Sequence, residues 1–264
     1  MIDGREDQAA GLRRLFRQTP PAVVAFYATG RYRAANAILA ARRIAGQRQR
    51  VLLLDEAAGR EALAEALGLA PGPDLLQMLD GRLTLAGLLQ PVPGLFGRVP
   101  TAAAALALPL LDDARRACLV EAMRVLHRHA GFVLIHAGCE SARDPSPFVQ
   151  AAPQRLLVAE ASASGATGAY RVIKQLAAAG AGSLHVTVAR ARGSADARDF
   201  FASMQALVRR HVGVPLVWLG EAESDDLAAG LTRSPSPASA REAGAAFLRR
   251  LAGAGGWRAA GAPG

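Results

Sequence analysis

The chain has 264 residues, which suits one large α/β domain, and its core must rest on Ala, Leu and Val because only 5% of residues are aromatic. The net charge of +9 favours an anionic partner, namely nucleic acid, anionic lipid or an acidic protein surface. The acidic start excludes a secretory signal and no apolar run reaches the length of a membrane span, so we expect a soluble, cytoplasmic protein.

The first segment predicts a short amphipathic helix over residues 4–17. Ala9, Leu12 and Phe16 recur in it at spacings of three and four, and a Pro-Pro pair follows it. About 14 residues form only a marginal helix in water, so this element needs a surface to dock on. We therefore divide the chain into an N-terminal helix and linker (1–20), an α/β domain (21–252) and a flexible tail (253–264).

Beyond residue 21, short apolar runs alternate with amphipathic segments. The alternation predicts the α/β class, a mostly parallel sheet with helices on both faces and a site at the carboxyl ends of its strands. Strands are predicted at 22–28, 50–55, 132–138, 155–160, 183–189 and 215–220. Helices are predicted at 34–45, 60–68, 74–80, 84–89, 112–130, 166–178, 195–211 and 239–252, with residues 90–100 as a loop that contains one short strand.

Two segments carry a resemblance to a known family. DQAAGLR, residues 7–13, resembles the N-terminal D-Q-A-x-x-L-R activation motif of the flagellar regulators called FlhG, FleN or YlxH. GAYRVIKQL, residues 168–176, resembles the family's T-D-A-Y-A-L-I-K-x-L helix, and the order of segments agrees over nearly the whole chain. The resemblance implies the MinD-like P-loop NTPase fold of the MinD/ParA superfamily, ATP-driven dimers, a C-terminal membrane-attaching helix and control of flagellar number.

The family's phosphate loop, K-G-G-V-G-K-T, falls on A-T-G-R-Y-R-A at residues 28–34. Gly30 retains one glycine of that loop. The glycine before the Lys, the Lys itself and the Mg²⁺-binding Thr are replaced by Tyr32, Arg33 and Ala34. A phosphate loop needs close backbone approach, a Lys charge and a hydroxyl for Mg²⁺, so the resemblance implies a degenerate P-loop.

The other nucleotide contacts of the family are also altered. Asp55 is retained, but Ala57 replaces the acid that serves the catalytic water. His136 falls on the Walker B acid and Ala189 on the Asn that reads adenine, and an imidazole is a poor Mg²⁺ ligand. We therefore expect no ATP hydrolysis and neither ATP nor Mg²⁺ as cofactor. In an alternative reading, Arg31 and its neighbour at 33 hold an anion at the helix start.

The N-terminal motif needs no nucleotide of its own. In the family, this helix activates FlhF, a GTPase of the signal-recognition type, and Gln is a common positioner of the attacking water in GTPases. We predict that Asp7 and Gln8 belong to a partner-activating element in which Leu12 and Phe16 supply apolar contact and Arg13 a charge contact. The alternatives are a helix packed on its own domain and a disordered tail.

The last predicted helix carries Phe247, Leu248 and Leu251 on one face and arginines away from it. Such a helix either lies on a membrane surface, at the inner membrane or cell pole, or packs on its own sheet.

His127 and His129 flank Arg128 near the end of a predicted helix, and both histidines are predicted to lie on the surface. Cys118 of the same helix is predicted to lie in the core. Cys139 follows His136 at a separation of three that could suggest a metal pair, but no further ligands stand beside them, so no metal site is predicted.

The function that the sequence favours is a non-hydrolysing, MinD-like regulator of flagellar number or assembly that stimulates an FlhF-like GTPase. Basal-body and transcription-regulator proteins of the flagellar system are further candidate partners. One alternative is an ATP-binding MinD/ParA-type ATPase that dimerises and binds membrane. The other is a basic, DNA-associated ParA-like protein, although no specific nucleic acid is predicted because the basic residues are scattered.

Overall fold

The computed structural model describes residues 21–46, 49–232 and 237–254, apart from the side chains of residues 60 and 237–241. The strands are β1 (Ala22–Ala28), β2 (Val51–Asp55), β3 (Gly97–Pro100), β4 (Phe132–His136), β5 (Gln154–Glu160), β6 (Leu184–Ala189) and β7 (Leu216–Glu221). The helices are α1 (Arg33–Ala45), α2 (Leu63–Ala66), α3 (Leu75–Leu79), α4 (Leu85–Leu88), α5 (Ala102–Ala107), α6 (Asp113–His129), α7 (Pro147–Ala151), α8 (Ala163–Ala178), α9 (Ser194–His211), α10 (Leu227–Thr232) and α11 (Pro237–Gly253).

The strands form one parallel sheet in the order β3-β2-β4-β1-β5-β6-β7. β1 lies at its centre, with Ala22 opposite Phe132 of β4 and Val24 opposite Gln154 of β5. From β1 the chain crosses to β2 and β3 on one side, returns to β4 beside β1, and then continues to β5, β6 and β7 on the other side. Open α/β sheets bind ligands in a crevice at the carboxyl ends of the strands where the direction changes in this way, which here is the end of β1. The predicted α/β class with a parallel sheet is confirmed.

Side chains of each strand alternate between two cores, one on each face of the sheet. Tyr27 of β1 faces the larger core, which helices α3 to α9 and α11 cover, and Phe26 faces the smaller core under α1, α2 and α10. All residues of β2 and β4 are buried, as the continuous apolar runs VLLLD and FVLIH require for strands covered on both faces. Helices therefore lie on both faces, as predicted.

Three short helices were not predicted from the sequence. α5 falls within an apolar run, and its first N–H groups are accepted by Asp74, whose carboxylate lies 3.0 Å from the backbone nitrogens of Ala103 and Ala104. α7 begins at a Pro behind a Ser146 cap, and α10 follows an acidic loop. Each is stabilised by tertiary packing and caps, which a periodic pattern of five or six residues does not reveal.

The last helix corrects the membrane prediction. Phe247 and Leu251 have no exposed surface, and α11 packs on α6, α7 and β1. The Phe247 ring stacks on His127 with 5.4 Å between centroids, and Leu248 is partly buried against the same core. The membrane-facing role of these three residues was wrong, because their apolar face closes the domain's own core.

Two smaller predictions on α6 were also wrong. His127 is buried, not on the surface, and burial lowers its pKa to about 4. Cys118 is exposed, not in the core. The Phe247 ring of α11 covers His127, and Cys118 lies beside the buried stripe that begins at Leu119 rather than in it.

Some predictions cannot be compared with the fold. The activation motif at residues 7–13 and the tail beyond residue 254 lie outside the described residues. Within the described ranges, no helix has both the length and the hydropathy that crossing a membrane requires.

We expect Leu251→Ala to lower the free energy of unfolding by about 2–5 kcal/mol, because it leaves a cavity in a fully buried position. Leu106→Ala is the matched control, since Leu106 is 82% exposed, and should change stability by less than about 0.5 kcal/mol. Urea unfolding followed by circular dichroism measures both. Equal effects of the two substitutions would show that α11 is not part of the core.

Candidate functional site

The crevice at the centre of the sheet is formed by the loop between β1 and α1. Gly30 has a φ of +93°, and the chain then turns so that α1 begins at Arg33 with no side-chain cap. A helix start without a cap leaves backbone N–H groups that need an acceptor. These groups lie where the family's phosphate loop was placed by sequence.

The acceptor is a carboxylate from the neighbouring strand. Glu160, the last residue of β5, accepts through Oε2 from the backbone N–H of Tyr32 at 3.0 Å and from the Asn36 side chain at 3.1 Å. Its Oε1 accepts from the Arg31 N–H at 3.4 Å and from the Ser162 hydroxyl at 3.0 Å. We call the two N–H groups and the Asn36 amide the loop donors. An anion thus lies at the helix start, but it belongs to the chain itself.

Glycines make this close approach feasible. A Cβ on Gly30 would lie 2.5 Å from the Cβ and Cδ of Glu160, and one on Gly165 would lie 2.1 Å from the Glu160 carbonyl oxygen. Thr29 donates its hydroxyl to the Gly165 carbonyl at 3.1 Å, and a Cβ on Gly168 would lie 3.3 Å from Thr29. The one retained glycine of the loop therefore makes room for Glu160, and Gly168 lets α8 lie against the loop.

Glu160 is buried, and burial alone would raise its pKa. The hydrogen bonds from the Tyr32 N–H, the Ser162 hydroxyl, the Asn36 amide and the Arg31 N–H outweigh burial and lower the pKa below its usual value. The carboxylate is therefore ionised at neutral pH, and it complements the partial positive charge of the α1 start.

A second closed arrangement surrounds Asp55 at the end of β2. Arg98 of β3 donates to Oδ2 of Asp55 from Nε at 2.9 Å and from Nη2 at 2.7 Å. His136 of β4 lies 3.0 Å from Oδ1 through Nδ1, and the backbone of Leu63 donates to Oδ2 at 2.9 Å. The three residues are at most 3% exposed. The oxygens that a Mg²⁺ ion would need are bound by protein donors.

Neighbouring acids have opposite pKa shifts. Burial would raise the pKa of Asp55, but the hydrogen bond from His136 and the charges of His136 and Arg98 outweigh it and lower the pKa. Burial raises the pKa of Glu56 to about 8, and the negative charge of Asp55 also raises it. The hydrogen bond from Ser146 lowers the pKa of Glu56 but does not outweigh burial. Ser146 contacts both Glu56 oxygens at 2.8 Å. The Glu56 carboxyl is therefore largely protonated at neutral pH.

The remaining predicted residues contribute little chemistry. Ala57 and Ala189 are buried methyl groups, and Ala34 occupies the second position of α1. Arg33, which the alternative reading assigned to an anion at the helix start, pairs with Glu61 at 3.0 Å. Within the parts that the structure describes, no cluster of three or more His, Cys, Asp or Glu side chains could hold a metal ion.

Sequence reasoning missed Glu160 and Arg98. A usable signal existed for Glu160, because RLLVAE ends in an acid just as VLLLDE does, at the strand that follows β4. Arg98 lay in a segment predicted as mostly loop, and only the pairing of β3 with β2 brings it beside Asp55. Asp55 and His136 were both predicted, and the structure brings them together.

We expect Arg98→Ala to cost about 3–5 kcal/mol of unfolding free energy at neutral pH, because it leaves a buried carboxylate without its cation. The difference from wild type should narrow below about pH 4. The pKa of Asp55 is lower in the folded state than in the unfolded state. The ionised Asp55 carboxylate therefore stabilises the fold at pH values above its unfolded-state pKa, and this stabilisation is lost as the pH falls through its folded-state pKa. Arg124→Ala, which removes a half-exposed pair with Glu121, is the control and should cost less than about 1 kcal/mol in the same urea titrations.

One curated protein supports the flagellar resemblance. The chain is 27% identical over 179 residues to the antiactivator FleN of Pseudomonas aeruginosa, a match that covers 67% of this chain. The match spans 64% of that relative's own length. No family model matches the chain.

Two solved structures share the fold over most of their length. The MinC–MinD cell division complex of Aquifex aeolicus gives a TM-score of 0.51 at 20% identity, covering 88% of this chain and 95% of that one. A ParA-family ATPase from Chlorobium tepidum gives 0.50 at 14% identity, covering 89% and 98%. At these identities the likeness to the solved structures shows the fold alone. The chain therefore shares the fold of MinD and of a ParA-family ATPase, and about two thirds of it is similar in sequence to FleN.

Proposed function

We propose that this chain is a non-hydrolysing regulator of flagellar number or assembly that acts through protein contacts. The observation that carries the non-hydrolysing part is the Glu160 carboxylate bound to the loop donors. The flagellar part rests on the similarity to FleN, which is an antiactivator by name, and on the N-terminal motif. The activity and partners of the whole protein are part of this proposal.

Phosphoryl transfer depends on charged groups that stabilise the transferring phosphate, and two charged groups of this region are paired with other protein groups. A phosphate that entered the loop would have to displace Glu160 or lie against a like charge. The cation of Arg33 is paired with Glu61, and the Asp55 carboxylate with Arg98. Ala34 offers no hydroxyl for Mg²⁺ and Ala57 no carboxylate for a water. We therefore propose that neither ATP nor Mg²⁺ is a cofactor of this chain.

The activity that remains under this proposal belongs to the N-terminal segment. Gln8 matches the motif Gln of the family, and a Gln is suited to position the water that attacks the γ-phosphate in a GTPase. An FlhF-like GTPase is the proposed partner, and its site would receive Gln8 in trans. The proposed location is the cytoplasm, with peripheral attachment at the inner membrane or cell pole through such partners rather than through α11.

The first experiment tests nucleotide binding. A fluorescent ATP analogue with Mg²⁺ should give no saturable signal with the wild-type chain below ~1 mM, because that limit corresponds to only about −4 kcal/mol of binding free energy. Saturation in the micromolar range would overturn the proposal. Light scattering during gel filtration should likewise show no dimer that depends on added nucleotide.

Glu160→Ala tests the carrying observation directly. Removal of the carboxylate leaves the loop donors without an acceptor, so we expect a lower melting temperature. Inorganic phosphate should bind to these donors and partly restore the melting temperature. Wild type should not respond to phosphate. Glu140→Ala, at a side chain 83% exposed, removes the same charge without touching the loop and is the matched control. Equal phosphate responses in all three proteins would show that Glu160 does not occupy an anion position.

Gln8→Ala tests the activating role. We expect this variant to reduce GTP hydrolysis by the FlhF-like partner to its unstimulated rate, because the water would lose its positioning group. Gln18→Ala, outside the motif in the same segment, should retain stimulation. A phosphate-release assay with both proteins present measures this. Full stimulation by the Gln8 variant would contradict the proposed role.

A further inference from the structure

The mouth of the crevice carries an exposed basic and aromatic cluster. The Tyr32 ring is 48% exposed, with the Arg190 guanidinium carbon 4.4 Å from its centroid and that of Arg31 at 5.7 Å. These are cation–π contacts with two cations on one ring. We call these three residues the Arg–Tyr–Arg patch. Both arginines are exposed, so the patch is open to a partner.

The charges of the patch are not neutralised within the described chain. None of the ion pairs among the described residues involves Arg31 or Arg190. Arg190 donates through Nε to the Asn36 side chain at 2.7 Å, which restrains the plane of its guanidinium and does not use its terminal nitrogens. A fixed guanidinium loses less entropy on binding a carboxylate than a freely rotating one.

Arg190 is also held in an unfavourable backbone conformation. Its φ is +59°, and it is the one non-glycine residue with a positive φ in the described ranges. Its N–H donates to Glu223 at 2.7 Å, which stabilises this turn after β6. A bulky residue in the left-handed region costs of order 1–3 kcal/mol, and such strain concentrates at binding sites. In this strained backbone conformation the Arg190 guanidinium lies over the Tyr32 ring.

We propose that the Arg–Tyr–Arg patch is a docking surface for an acidic segment of a protein partner. Two guanidiniums on one ring can be reached by a single segment that brings neighbouring carboxylates, and bidentate Arg–carboxylate pairs give such a contact its specificity. Arg and Tyr are the residue types that dominate binding energy in protein interfaces. This inference rests on the proposed action through protein contacts and names the chemistry of one such contact.

The surroundings of the patch favour a peptide over a nucleic acid strand. Glu223 lies against the backbone of Arg190, and the neighbouring Arg192 is already paired with Asp196 at 3.3 Å. A phosphate backbone needs a continuous basic track, whereas carboxylates at this turn interrupt one. A short acidic segment requires only the two cations and the ring.

Binding of a short, labelled poly-glutamate peptide tests the proposal by fluorescence anisotropy. Arg31→Ala and Tyr32→Ala should each weaken binding by roughly tenfold, as for residues at the centre of an interface. Arg209→Ala, an exposed arginine of α9, removes the same charge elsewhere and should change affinity by less than about twofold. Equal losses in Arg31→Ala and Arg209→Ala, with no loss in Tyr32→Ala, would show that binding depends on net charge alone and would overturn the proposal.

Arg190 needs a separate comparison because its loss could disturb the loop. Arg190→Lys retains the charge but lacks the planar fork, so it should fold normally and still bind several-fold more weakly. Arg31→Ala provides an independent test, since the Arg31 guanidinium lies over the Tyr32 ring and forms no ion pair within the described ranges. Melting temperatures establish that each variant is folded. Unchanged binding by both variants would exclude the patch.

Competition separates this proposal from the proposed function. A single-stranded DNA of equal charge and phosphatidylglycerol vesicles should bind more weakly than the peptide, and the patch variants should not affect them selectively. Tighter binding of either would reassign the patch to that class of ligand and overturn this proposal. Displacement of the peptide by Mg²⁺-ATP would instead count against the proposed absence of ATP as a cofactor, which the analogue titration tests on its own.

Discussion

The arrangement around the central loop depends on the hydrogen bonds between the Glu160 carboxylate and the start of α1. Four donors converge on this one side chain, from the loop, from α1 and from the turn after β5. Two glycines leave the space for it, and Asn36 extends the contact to Arg190 at the end of β6. A helix start at the centre of a parallel sheet attracts anions, and here the anion is the side chain of Glu160 on a neighbouring strand. β5, α1 and β6 are thereby joined through one buried charge.

The same principle governs the other side of the crevice. A buried carboxylate such as Asp55 is tolerated only when it is paired and hydrogen-bonded, and Arg98, His136 and the Leu63 backbone provide this. Glu61 pairs with Arg33 and also accepts from the Cys139 N–H at 2.7 Å. Arg33 and Asp55, two charged residues of this region that the sequence analysis singled out, are thus each paired with another side chain of the protein.

Much of the fold could be predicted because it follows from local pattern. Continuous apolar runs such as VLLLD predicted the central strands, and long amphipathic segments predicted α6, α8 and α9. The site could be predicted only in part. Asp55 and His136 were identified by position, but their partner Arg98 depends on strand pairing, which no local pattern encodes. Glu160 acts through residues more than 120 positions away. The apolar face of α11 was visible in the sequence, but whether lipid or protein covers it is decided by the tertiary fold.

The central position of β1 has a consequence for how the chain acquires its structure during synthesis. β1 emerges first among the strands, yet both of its neighbours, β4 and β5, are more than 100 residues later in the chain. β1 therefore has neither of its neighbouring strands while the ribosome makes the intervening segments, and its apolar side chains remain uncovered. The larger core closes later still, because it also needs Phe247 and Leu251 of α11. Contacts of such large sequence separation slow folding and prolong the exposure of apolar strands. The strands of this sheet are thus exposed to aggregation while the later segments are still being made.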